Sequence, residues 1–142
     1  MRNHILILLS IILLTGCDDA ADAPAPSAPY ERWKMQNLHS YSMEQVRVCF
    51  CIDGGTRMKV IVKQDTIFSV MRLSDSTMLS YPQTRTYLPI DSLFSIIRNP
   101  GSDSLIVEYH PDLGYPVKLD INPQQHPVDG GVLYETSSVK PL

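Results

Sequence analysis

The stretch Leu88-Pro89-Ile90-Asp91-Ser92-Leu93-Phe94-Ser95-Ile96-Ile97-Arg98-Asn99-Pro100-Gly101 is where the hydrophobic period of this chain changes. Ile90, Leu93, Phe94 and Ile97 stand at i, i+3, i+4 and i+7, the spacing that gathers apolar side chains on one face of an α-helix. Pro89 lies near the start, where a missing N–H costs nothing, and Asn99-Pro100-Gly101 supplies a stop. One short amphipathic helix over about Leu88–Asn99 is predicted.

The segments on either side have a period of two. Upstream, Tyr41–Ile52 alternates, with Val46, Val48, Phe50 and Ile52 on one face and Arg47, Cys49 and Cys51 on the other. That reads as a strand with one buried face. Thr56–Lys63 and Thr66–Leu73 are β-rich runs joined at Gln64-Asp65, a place for a hairpin turn, so a three-strand antiparallel meander is expected. Downstream, Leu105, Val107 and Tyr109 alternate within Ser104–His110, and Val117, Leu119 and Ile121 do the same beyond a turn at Pro111–Tyr115. A loop through Asn122-Pro123 and Asp129-Gly130-Gly131 leads to a last strand at about Val132–Ser138. The order βββ-α-βββ predicts an α+β domain, an antiparallel sheet with one amphipathic helix packed on it. Tyr30–His39, with Trp33 and Met35, is expected to add a short N-terminal helix.

Further outward, the chain opens with Arg2 in a short head and an apolar run from Ile5 to Leu14 that only Ser10 interrupts. The run is about half of the roughly 20 residues needed to span a hydrocarbon core, so a secretory signal fits better than a transmembrane anchor. It ends in Leu14-Thr15-Gly16-Cys17, which resembles the lipobox of bacterial lipoproteins. The resemblance implies cleavage before Cys17, a diacylglyceryl group on its sulfur and an N-acyl chain such as palmitate on the new amine. Several acyl chains on one residue give the stable anchoring that a single chain does not. The competing reading is a plain secreted chain with a chance cysteine at the cut. Asp18-Asp19-Ala20-Ala21-Asp22-Ala23-Pro24-Ala25-Pro26-Ser27-Ala28-Pro29 carries no hydrophobic face and reads as a tether. The expected organisation is a signal peptide at 1–16, lipidated Cys17 and tether at 17–29, and one globular domain at 30–142. Asp18 directly after the cysteine resembles an inner-membrane retention signal, whereas the wider acidic run resembles surface-export signals of other lipoproteins. The second is favoured, so the expected address is the cell envelope, at the outer membrane or cell surface.

The formal charge of −3 becomes −4 once Arg2 leaves with the signal, and no basic cluster stands out. Nucleic acid is therefore not an expected partner.

His39-Ser40-Tyr41, Cys49-Phe50-Cys51, Ile90-Asp91-Ser92-Leu93-Phe94 and above all Tyr109-His110-Pro111-Asp112-Leu113-Gly114-Tyr115-Pro116 together resemble a bacterial lipoprotein family, domain of unknown function 6174. The likeness spans roughly Trp33–Thr136. It implies a secreted, mostly lipid-anchored domain and supplies no activity. The family often has Asp-Gly at the first hairpin, where this chain has Gln64-Asp65.

Lipidation of Cys17 leaves Cys49 and Cys51 as an isolated pair in an oxidising compartment. Four readings are open for it. A local disulfide is favoured, because an unpaired exported dithiol is unusual. The others are two cysteines packed as small apolar residues, a metal site completed by His39, His110 or His126, and a redox-active pair whose thiolate Arg47 stabilises. Tyr109, His110, Asp112, Gly114 and Tyr115 admit two readings, a surface-binding cluster or a hairpin turn. The turn is favoured, since Pro111 and Asp112 suit early turn positions and Gly114 tolerates positive φ.

No G-x-S-x-G elbow, H-E-x-x-H, phosphate loop or dinucleotide fingerprint occurs. Asp91, Asp103 and Asp112 fall where capping and solvation account for them. No catalytic, cofactor-binding or metal residue is assigned, and an enzyme is not expected. The expected function is a membrane-anchored, noncatalytic binding or envelope-accessory module for a protein, peptide or glycan. The alternative is an extracytoplasmic thiol-redox or metal-binding protein using Cys49 and Cys51.

Overall fold

The computed structural model describes residues 28–142, so the expected signal peptide at 1–16 and Cys17 lie outside the described residues. Six period-two segments form one antiparallel sheet: β1 (Tyr41–Val48), β2 (Arg57–Lys63), β3 (Thr66–Arg72), β4 (Leu105–Tyr109), β5 (Pro116–Ile121) and β6 (Val132–Pro141). Their order is β3-β2-β1-β6-β5-β4. Two meanders therefore meet at a central antiparallel β1–β6 pair. The chain between the edge strands β3 and β4 has to cross the sheet, and α2 (Ile90–Arg98) makes that crossing. A second short helix, α1 (Pro29–Met35), precedes β1. The domain is α+β, with the element order βββ-α-βββ after α1. Among the described residues no helix is long and apolar enough to cross a membrane.

Helix α2 buries Ile90, Leu93 and Phe94, the face its spacing predicts. Each such side chain contributes about 1.5–3 kcal/mol when removed from water. Under Ile90 and Phe94 lie Tyr41 and Met43 of β1, Met58, Val60 and Val62 of β2 and Val70 of β3. Leu93 joins Leu119, Ile121 and Tyr134 over the other half of the sheet. Trp33 of α1 closes one end, edge-on to Tyr41 at 5.5 Å and to Tyr115 at 6.2 Å between ring centroids. The Ile90 N–H, an orphan of the first helical turn, donates to the Tyr41 hydroxyl at 2.9 Å, which ties helix to sheet.

The turn between β2 and β3 is Gln64-Asp65, with φ of 49° and 61°. Positive φ at both central residues is what a type I′ hairpin needs. Neither residue is glycine, and contacts to the chain before β1 hold the turn. The Asp65 N–H donates to the His39 carbonyl at 2.9 Å, and the Asp65 carboxylate lies 2.8 Å from His39 Nδ1.

The expected extent of β1 is corrected. The strand ends at Val48, not Ile52. Its core-facing residues include Tyr41, Met43 and Gln45, while Val48, Phe50 and Ile52 are 39, 88 and 77 % exposed. Val46 is buried as well, so the face turned to the core is settled by Gln45, a residue type more usual at a solvent-facing position. It is fully buried, and its amide is satisfied by the Leu88 backbone, Nε2 donating to O and Oε1 accepting from N, both at 3.0 Å. At the other terminus β6 runs on to Pro141, past the expected end at Ser138, because its last residues pair with Tyr41 and Ser42. A 3-10 turn at Gln83–Thr86, in a segment without periodicity, was not anticipated.

Candidate functional site at the cystine loop

Beyond Val48 the chain leaves the sheet and turns back on itself. Cys49 and Cys51 are joined by a disulfide, with their Cα atoms 5.3 Å apart. The Cys51 N–H donates to the Cys49 carbonyl at 2.9 Å, and the Gly54 N–H to the Cys51 carbonyl at 3.1 Å. A side chain at position 54 would collide with the Cys49 carbonyl, so glycine is required for this close return. The Gly55 N–H then donates to the Arg47 carbonyl at 2.9 Å, which fastens the loop to the end of β1. Phe50, between the two cysteines, and Ile52, just after them, are left facing solvent.

One side of this loop borders a cleft of about 480 Å³, lined mainly by Arg47, Ile52, Asp53, Leu79, Arg85 and Tyr87. Its far wall is the 3-10 turn, held by side chains of the central strands. Gln45 grips Leu88, while Arg47 Nη1 and the Tyr134 hydroxyl each donate to the Thr86 carbonyl at 3.4 Å. Arg47 is the hinge of the arrangement. Its guanidinium also lies 5.7 Å from the Tyr87 ring centroid, and Nη2 donates to Cys51 Sγ at 3.2 Å.

The cleft is cationic. Asp53 is neutralised by Arg72, whose Nη2 reaches Oδ1 at 2.7 Å, which leaves Arg47 and Arg85 as the lining cations. Arg85 stacks over the exposed Tyr81 at 5.8 Å. Among the described residues Arg47 Nε and the Tyr87 hydroxyl are buried with no hydrogen-bond partner. Burial raises the pKa of both Tyr87 and Tyr134, so both phenols stay neutral at physiological pH.

On the other side of the loop, Cys49 and Phe50 border a recess with Val48, His126 and Gly131. His126 Nε2 lies 2.9 Å from Asp120 Oδ1, without the alignment of a hydrogen bond. Of the three histidines considered as metal ligands, only His126 lies on this side. His39 pairs with Asp65, and His110 accepts the Asp112 and Leu113 N–H groups at 3.3 and 3.2 Å. Among the described residues no group of three or more His, Cys, Asp or Glu is placed to hold a metal ion.

The second sequence cluster forms the connection between β4 and β5. Tyr109 stacks on Phe94 at 6.1 Å, and His110 lies 4.9 Å from the buried Tyr115 ring. Gly114, at φ 79°, approaches α1 so closely that a Cβ there would lie 2.8 Å from Arg32 Cβ. Tyr109, Gly114 and Tyr115 thus pack the domain together, and only Asp112 of the five is exposed.

Arg47 and the cysteines were visible in the sequence as partners. Leu79, Arg85 and Tyr87 were not, and the only local signal was Tyr81-Pro82 ahead of a polar run.

The fold and site define an α+β domain whose central strand ends in a disulfide-closed apolar loop beside a cationic cleft. The chain belongs to the family of unknown function DUF6174, whose model matches residues 27–141. No curated protein and no solved structure matches it.

Proposed function

We propose that this chain is a lipid-anchored extracytoplasmic lipoprotein whose folded domain is a noncatalytic binding or envelope-accessory module. Its recognition element is the Cys49–Ile52 loop with the adjoining cleft, and its partner is a protein or peptide. The observation that carries the reading is the exposure of Phe50 and Ile52, at 88 and 77 %, on a loop that cannot readily collapse inward. The disulfide, the Gly54 turn and Arg47 hold that loop in place. Large apolar side chains grouped at one tip mark an interaction surface, and a fixed loop loses little conformational entropy on binding. Arg47 and Arg85 beside the tip favour a partner with an acidic or carboxylate group next to its apolar residues. The lipobox-like Leu14-Thr15-Gly16-Cys17 supports lipid attachment, and the acidic run Asp18-Asp19 to Asp22 favours the outer membrane or cell surface, with the tether giving the domain reach.

The test is selection of peptides from a random library on the purified protein, followed by binding measurements on a Phe50→Ser, Ile52→Ser double variant. Apolar peptides with acidic flanks are expected, with affinity for the double variant reduced about tenfold or more. Peptides that bind both proteins equally would remove the loop from the recognition surface.

The alternative built on Cys49 and Cys51 divides in two. Its thiol half has a specific supporting observation in the Arg47–Cys51 contact. Its metal half has no third ligand grouped with the pair among the described residues.

A further inference from the structure

We infer that the Cys49–Cys51 disulfide is exchange-active, with Cys49 taking the incoming sulfur and Cys51 leaving as a thiolate held by Arg47. The reacting partner is a dithiol in an exported protein, oxidised once per disulfide, so the exchange is stoichiometric and goes beyond the binding role without making the domain a turnover catalyst.

The two sulfurs have different surroundings. Cys51 Sγ accepts from Arg47 Nη2 at 3.2 Å, and the guanidinium is itself positioned by Thr86 and the Tyr87 ring. It sits at the end of a central strand, so it does not have to be recruited when charge develops on sulfur. A cation beside a thiol stabilises the thiolate, and a stabilised thiolate is the better leaving group. On the side of Cys49 the nearest ionisable group of the recess is His126, which already faces the Asp120 carboxylate at 2.9 Å. No arginine or lysine lines that recess beside Cys49. Cys51 is the more exposed of the two, but Cys49, half-buried, also borders shallow depressions on both sides of Phe50, so an incoming thiol can reach either sulfur and the choice falls to Arg47.

The step is a two-electron exchange. A partner thiolate attacks Cys49 Sγ, the Cys49–Cys51 bond breaks, a partner–Cys49 disulfide forms, and Cys51 Sγ departs with the electron pair. The partner's second thiolate then attacks the partner sulfur of the mixed disulfide, closing the partner's own disulfide and releasing Cys49 as a thiolate. The partner is oxidised by two electrons and Cys49/Cys51 is reduced. The two protons lost by the partner's thiols pass to solvent or to the new cysteine thiolates. The choice of a protein substrate rests on the reading of Phe50 and Ile52 as a recognition tip. The polarity of the exchange rests only on Arg47.

The probe is therefore glutathione, which needs no recognition tip. The full chain, with any free thiol first blocked by N-ethylmaleimide, is exposed briefly to glutathione, quenched with iodoacetamide and digested. Tandem mass spectrometry then assigns the adducts on Cys49 and Cys51. Glutathione is expected on Cys49, with carbamidomethyl on Cys51, in about fivefold excess over the reverse. Arg47→Gln should bring the ratio close to one and slow the exchange, and Arg47→Lys should keep the preference. If Arg47→Gln fails to fold, the wild-type chain in urea serves instead, and its ratio should also approach one. Glutathione mainly on Cys51, an even split in the folded wild-type chain, or no reaction until the chain is unfolded would each overturn the inference. A failed peptide selection with the predicted polarity intact would remove only the recognition reading.

Discussion

The side-chain amide of Gln45 exchanges two hydrogen bonds with the backbone of Leu88, as a neighbouring strand residue would. It thereby fixes where the chain enters α2 and where the cleft wall stands. Gln45→Leu keeps the volume but leaves the Leu88 N–H and carbonyl without their partner. The expected cost is about 2–4 kcal/mol in urea-induced unfolding. Thr136→Val, which removes only the longer 3.4 Å contact to Gln45, should cost about 1 kcal/mol or less. Equal losses in the two variants would mean that the Leu88 pairing is not what makes Gln45 important.

Burial raises the pKa of Tyr41, Tyr87, Tyr109, Tyr115 and Tyr134 above the ordinary value of 10.0. The sign follows from linkage. The neutral phenol is the form the folded state favours, so the contribution is fully present below the unfolded value and is lost as pH rises through the folded values. Urea midpoints should hold steady up to about pH 9.5 and fall steeply above pH 10. Tyr41→Phe should lower stability at neutral pH, because Ile90 loses its acceptor, and should make the alkaline slope shallower. A slope unchanged in Tyr41→Phe would exclude Tyr41 as a source of the alkaline loss.

Most of the fold was legible because local signals agreed with one another. The i, i+3, i+4, i+7 set of α2, its Asn99-Pro100-Gly101 stop and the two hairpin turns each point to the same order. The parity of β1 was not legible, since both of its faces carry apolar residues and the deciding residue is a glutamine. Its burial depends on Leu88, a partner 43 positions away. The site divides along the same line. Arg47, Cys49 and Cys51 lie within five residues of one another, and strand spacing suffices to associate them. The cleft wall from Leu79 to Tyr87 has no period of its own and is placed by Gln45, Arg47 and Tyr134 from elsewhere in the chain.

Gly114 and Gly101 both adopt positive φ, 79° and 62°, but only Gly114 also has neighbours in the way. Gly101→Ala should therefore cost about 1 kcal/mol for backbone conformation alone. Gly114→Ala adds a collision with Pro29 and Arg32 of α1 and should cost about 2–3 kcal/mol. Because α1 carries Trp33 into the core, Gly114→Ala should also speed amide hydrogen exchange in Pro29–Met35 and shift Trp33 fluorescence. If α1 exchange is unchanged while stability falls, the glycine matters for the hairpin alone.

The proposed lipid anchor makes a prediction that separates address from fold. Cys17 precedes the family match at residues 27–141, and Cys49 and Cys51 are tied to each other, so removing Cys17 should leave the domain intact. Cys17→Ser should abolish incorporation of a palmitate analogue and leave the chain at precursor mass, since lipid transfer precedes signal removal in lipoproteins. The purified variant should still give the urea midpoint of the wild-type domain within about 0.5 kcal/mol. With Cys17 present, protease added to intact cells should digest the domain if the acidic run after it directs surface display. Full protection until the outer membrane is opened would place the domain on the inner side. Lipid found on the Cys17→Ser chain would overturn Cys17 as the lipidation site, because neither remaining cysteine lies behind a lipobox.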